Sequence, residues 1–187
     1  MPISNSGWEM HIVRKSEQRR ESGKVRVRTV GTYQIFHDGV AQTGTGMKGM
    51  VAETRGPGDN SEEDNKRRVE EGQYPISTQD GGKYVTIGYK LSESATAKPK
   101  PGIELNSTGK RSEILIHPGQ GFLASVGCIN PCTSLPDASE TIDFAPSRKR
   151  VIAIIEDLKA FLGSDFPTKN GKKIPRALVV IDGEPTL

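Results

Sequence analysis

Apolar and polar residues alternate along the first part of the chain. Trp8, Met10 and Ile12 fall on one face of an extended segment; Val25, Val27 and Thr29, then Tyr33 and Ile35, continue the period of two. A repeat of two sends successive side chains to opposite faces of a strand, so the segment from about 8 to 55 is predicted to be a β-meander. Asp38-Gly39, inside "YQIFHDGVAQTG", is a hairpin signal because both residues tolerate the positive φ of a tight two-residue turn. Further on, "QYPIS" and "KYVTIGYKL" are predicted strands around Gly81-Gly82, and "GIELN" and "SEILIH" are two more, joined by the polar "STGKR".

One segment changes period. In "SRKRVIAIIEDLKAFLG", the residues Val151, Ile154, Ile155, Leu158, Phe161 and Leu162 recur at helical spacing. They predict an amphipathic helix over about 147–162, capped by Ser147 and ended by Gly163 with Pro167 beyond. "RALVVID" predicts a final strand over about 176–182. Two stretches carry no period: "RGPGDNSEEDNKRR" and "SESATAKPKPG" are expected to be exposed loops, with Lys66–Arg68 part of a solvated mixed-charge segment. The fold class expected is mainly β, a single domain over 1–187 with one C-terminal helix packed across a sheet.

Composition narrows the function classes. The 187 residues are 33% hydrophobic, with Gly 21 and Pro 12, which suits strands and turns more than helices. The net charge of +3, from 26 basic and 23 acidic residues, is too even to indicate nucleic acid. No apolar run approaches the roughly 18 residues of a membrane span. "MPISNSGWEMHIVRK" lacks the apolar core of a secretory signal, so synthesis in the cytoplasm without a Sec signal is expected, with export by another route left open.

The candidate chemistry is concentrated in "ILIHPGQGFLASVGCINPC", Ile114 to Cys132, which holds one of three histidines and both cysteines. A thiol nucleophile needs a base within reach, donors for an oxyanion and a backbone that bends close to the substrate. His117 at a strand end can supply the base, Gly127 the bend and unobstructed backbone amides, and Cys128 the thiol. A thiolate activated in this way reacts with alkylating agents below the ordinary thiol pKa of about 8.5. Three other readings remain open: Cys128 as a small core residue, a zinc site built from Cys128, Cys132 and one or two of His11, His37 and His117, and a redox pair. No metal or cofactor is assigned. Cys132, across Pro131, is expected to be structural, and His11 and His37 to be strand residues. Tyr74, Tyr84 and Tyr89 are expected to pack on the sheet, one of them available to line a cleft.

"IHPG…SVGCIN" resembles the signature of the L,D-transpeptidase (YkuD-like) family, with His117, Ser125, Gly127 and Cys128 matching it. "EEGQYPIS" is similar to a second family element through Gly72, Tyr74 and Ile76. The resemblance covers about Val69 to Asn130, a catalytic core of about 69–132. Val126 and Asn130 stand where the family has His and Arg, and the His-to-Cys segment is shorter; Arg111, Lys110 or Arg148 are candidates to replace the missing cation. The resemblance implies a β-sandwich-like catalytic fold and a thioester acyl-enzyme formed on peptidoglycan stem peptides. It makes Cys128 the nucleophile, His117 the base, the Gly127 and Cys128 amides the oxyanion donors, Ser125 a loop or orienting residue, and Arg111, Tyr74 and Asn130 substrate-binding residues. Without a Sec signal, it further implies delivery to the periplasm like that of type VI secretion effectors, with a secretion apparatus or an immunity protein as partner. The alternatives are a non-catalytic binding or structural module on the same fold, and a thiol peptidase acting on another amide.

Overall fold

The computed structural model describes residues 3–123 and 125–186. In chain order the strands are β1 (Trp8–Arg20), β2 (Arg26–His37), β3 (Val40–Ala41), β4 (Lys48–Thr54), β5 (Gly72–Thr78), β6 (Tyr84–Val85), β7 (Lys100–Pro101), β8 (Ile103–Leu105), β9 (Leu115–Ile116), β10 (Asn130–Cys132) and β11 (Lys173–Asp182). The helix α1 (Phe144–Leu162) precedes β11. Nine strands form one sheet in the order β10-β4-β2-β1-β11-β5-β8-β9, with β3 paired to β2. The β6–β7 pair stands apart.

The N-terminal meander forms where alternation predicts it. Trp8, Met10 and Ile12 have no exposed surface, and β1 pairs antiparallel with β2 from Trp8↔His37 to Arg20↔Arg26. Asp38 and Gly39 both take positive φ, 45° and 81°, and reverse β2 into β3. The other neighbour of β1 is β11, parallel to it, so the first and last strands lie together at the middle of the sheet.

The two ends of the sheet approach each other. Ile116 of β9 makes a parallel bridge to Ile129, the residue just before β10. The amide of Ile129 donates to Leu115 O at 2.8 Å, and that of His117 to Ile129 O at 3.1 Å. The sheet is thereby nearly closed, and this seam carries the candidate chemistry. Val151, Ile154, Ile155, Leu158 and Leu162 of α1 pack into one core with Trp8, Met10, Ile35 and Ile116. A smaller cluster holds Val30, Ala52, Cys132, Leu135 and Ile142.

Five expectations need correction. The helix starts three residues before the predicted 147, at Phe144. Pro146 is compatible with a first turn, whose N–H groups lack intrahelical partners anyway. Ser147 is therefore a buried helical residue, its amide donating to Asp143 O, and not the cap. Of "KYVTIGYKL" only Tyr84–Val85 is strand, and of "SEILIH" only Leu115–Ile116. Finally, Arg68 is buried and not solvated. It donates to Glu17 at 2.8 Å and to Glu184 at 2.8 Å, because a charge that leaves water needs carboxylate partners.

Candidate active site

The seam explains how His117 and Cys128 come to line one groove. Ile116 and Ile129 are bridged and both face the core. Strand alternation turns their neighbours to the other face, so Leu115, His117 and Cys128 share one side. All three line a groove of about 340 Å³ together with Tyr84, Lys83, Glu113 and Val126.

His117 is 2% exposed and held from behind. Its Nδ1 lies 2.8 Å from the Pro118 carbonyl. A carbonyl can only accept, so Nδ1 carries the proton and Nε2 is left as the basic nitrogen. Asn130 Nδ2 donates to the His117 carbonyl at 3.0 Å, and Ser125 Oγ donates to Asn130 Oδ1 at 3.1 Å. The Tyr84 ring lies over the imidazole with centroids 4.3 Å apart. Burial, and then the charges of Lys83 and Lys100, hold the His117 pKa down at about 4, against a hydrogen bond to Pro118 that raises it.

Cys128 is half-buried, with a free thiol. Its Sγ accepts the Leu115 amide at 3.4 Å and donates to the Glu113 carbonyl at 3.5 Å. Glu113 holds a positive φ of 54°, which marks a tight local bend beside the thiol. Burial pushes the thiol pKa up from its ordinary value, and the Leu115 amide, Arg111 and Lys83 oppose that only in part. Burial thus works against the low-pKa thiolate expected from sequence. Burial lowers the imidazole pKa and raises the thiol pKa, so both shifts favour the neutral forms over an imidazolium and a thiolate.

Gly127 takes φ 94°, and a Cβ there would run into the Arg111 guanidinium. The glycine is required for the close approach as well as for the turn. Its amide donates to Thr54 Oγ1 at 2.8 Å, so it is not the free oxyanion donor expected. The Cys128 amide has no partner among the described residues.

Of the residues assigned to substrate binding, the structure brings Arg111 close and leaves the others outside the groove. Arg111 lies against Gly127 and lines an adjoining cleft of about 230 Å³ with Glu113 and Val126. Tyr74 is buried in the core, its hydroxyl donating to Glu70 O at 2.7 Å, and does not line the groove. Asn130 sits behind His117, its Nδ2 donating to the His117 carbonyl, and does not line the groove. Arg148 donates to Lys90 O and Lys110 is exposed; neither lines the groove. Ser147, missed from sequence as a site component, accepts the Gly119 amide at 2.8 Å and donates to the Pro131 carbonyl. It ties the turns on both sides of the seam to α1, across a distance in the chain that leaves no local signal.

The zinc ligands considered from sequence are dispersed. His11 pairs with Asp182 at 2.8 Å and His37 with Asp157 at 2.7 Å. Cys132 is buried in the smaller cluster. Among the described residues no three His, Cys, Asp or Glu side chains converge, and no helix is long and apolar enough to cross a membrane. No family model matches the chain, and no curated protein or solved structure is significantly similar to it.

Proposed function

We propose that the chain is a cysteine-dependent acyltransferase of the L,D-transpeptidase type, acting on peptidoglycan stem peptides. The observation that supports this most is the seam: His117 with only Nε2 unprotonated, and Cys128, share one face and one groove. In the first step Cys128 Sγ attacks an amide carbonyl carbon while its proton passes to His117 Nε2. The carbonyl oxygen becomes an oxyanion, for which the Cys128 amide, without a partner among the described residues, is the candidate donor. Collapse breaks the C–N bond, and His117 returns the proton to the departing amine. The thioester is then resolved by an amine or by water, which regenerates the thiol. Because the ion pair is costly in the free protein, proton transfer accompanies C–S bond formation rather than preceding it.

The test is incubation with disaccharide tetrapeptides. Release of the terminal D-alanine, a thioester adduct by mass spectrometry, and loss of both in Cys128→Ala are expected. If wild type and Cys128→Ala behave alike, the catalytic reading fails. A binding module is the second reading, supported by the neutral thiol bonded to the Glu113 carbonyl; it predicts tetrapeptide binding without turnover. Peptidoglycan lies outside the cytoplasm, so the catalytic reading entails export, and a contact-dependent secretion machine with a protective immunity protein meets that need. Expression with a fused periplasmic export signal is expected to damage a bacterial host's wall, and cytoplasmic expression is not. Equal tolerance of both would remove the proposed site of action.

A further inference from the structure

A cavity of about 780 Å³ lies beside the groove that Cys128 lines and shares Ser125 and Val126 with it. The β1–β2 hairpin supplies Lys24 and Arg26 to its walls, the end of β4 is followed by Arg55, and the long loop adds Lys66. All four side chains are on exposed residues, and none has a carboxylate partner among the described residues. Glu17, the acidic residue in the wall, is already held by Arg68 and the Gly56 amide. The positive field is therefore uncompensated within the cavity. The surface between the cations is apolar: Val25 is 49% exposed and Val126 56% exposed. Exposed valines at such positions are left uncovered by the fold itself.

We propose that this cavity binds an acidic peptide, the part of the substrate that flanks the attacked amide. The proposal rests on the catalytic reading above and adds the charge of the substrate: two or more carboxylates with apolar groups between them. The wall shared at Ser125 and Val126 joins the cavity to the groove that Cys128 lines. Nucleic acid fits less well. Phe122, the aromatic residue in the wall, is buried, with the Arg20 and Arg28 guanidiniums 4.7 and 4.5 Å from its centroid, so it offers no open face for a base.

The experiment uses Cys128→Ala, which separates binding from chemistry, and the variant Lys24→Gln/Arg26→Gln/Arg55→Gln/Lys66→Gln built on it. Calorimetry follows the disaccharide tetrapeptide and the same molecule with its free carboxylates amidated. The tetrapeptide is expected to bind at least about tenfold more weakly to the four-site variant, and to weaken as salt rises from about 50 to about 500 mM. The amidated molecule is expected to bind weakly and equally to both proteins. In the active enzyme, the four substitutions are expected to raise KM. Unchanged tetrapeptide affinity in the variant overturns the proposal, as does tighter binding of a single-stranded oligonucleotide of equal charge. A tetrapeptide bound with these charge effects but never cleaved leaves the cavity assigned and removes the catalytic reading. Cleavage with a wild-type KM in the four-site variant does the reverse.

Discussion

His117 is kept neutral by burial, and that has a consequence for stability. Its pKa falls from 6.5 to about 4 in the fold, so between those values the unfolded chain takes up a proton that the folded chain refuses. Its contribution is complete above pH 6.5 and is lost as pH falls through 4, amounting to about 3 kcal/mol. Urea unfolding of wild type is expected to show this loss between pH 7 and 4, and His117→Gln to lose correspondingly less. Turnover is expected to have its acid limb near pH 4, where the base protonates; a limb near 6.5 would contradict the buried setting. The thiol gives a second expectation. Iodoacetamide labelling of Cys128 in the free protein is expected to remain slow at pH 7 and to rise only above pH 9, since burial raises its pKa. Fast labelling at pH 6 would mean a stable thiolate–imidazolium pair, against the hydrogen bond from Sγ to Glu113 O.

The helix holds the turns that flank the seam in place through one hydroxyl. Ser147 Oγ joins the Gly119 amide to the Pro131 carbonyl, and all three groups are at buried residues. Ser147→Ala leaves a buried donor and acceptor unpaired, at about 1–3 kcal/mol each when no water enters. Thermal unfolding is expected several degrees lower, at about 2–4 °C per kcal/mol for a chain of this size, together with a fall in kcat because His117 is next to the released turn. Unchanged kcat would show that α1 does not position the base. This link was hidden in the sequence: Ser147 read as a cap, since Ser before an apolar stripe is a capping signal, and only the fold places Pro131 and Gly119 beside it. The stripe itself, the meander and the Asp38-Gly39 turn were legible because they depend on local periodicity and on backbone φ. "KYVTIGYKL" alternates as well as β1 does, yet most of it has no strand partner; alternation records a buried face, not the presence of a neighbour. In the same way His117 and Cys128 could be named from their motif, while Thr54's hold on the Gly127 amide and the Glu113 carbonyl beneath the thiol required the closed sheet.

The seam is only as firm as the sheet that closes onto it, and that sheet depends on joining the two ends of the chain. β1 and β11 pair in parallel, a contact that forms only once the C-terminal strand is in place. Buried charges reinforce the join. Arg14 of β1 donates to both Glu53 oxygens at 2.8 Å, to Val69 O at 2.8 Å and to Glu184, beyond β11, at 2.9 Å. Arg68 reaches Glu17 and the same Glu184. The two carboxylates differ in setting: the Glu53 side chain is 1% exposed and that of Glu184 36%. Glu53→Gln removes the charge that balances Arg14 in a place water does not reach, which costs about 3–5 kcal/mol and lowers the melting temperature by roughly 10 °C. Glu184→Gln removes a partner that solvent partly replaces, so its cost is expected to stay at or below about 1 kcal/mol. Thermal melts of the two variants side by side measure the contrast. Equal losses would mean that the strand pairing of β1 with β11, and not the Arg14–Glu53 pair, sets the stability of the junction on which the seam rests.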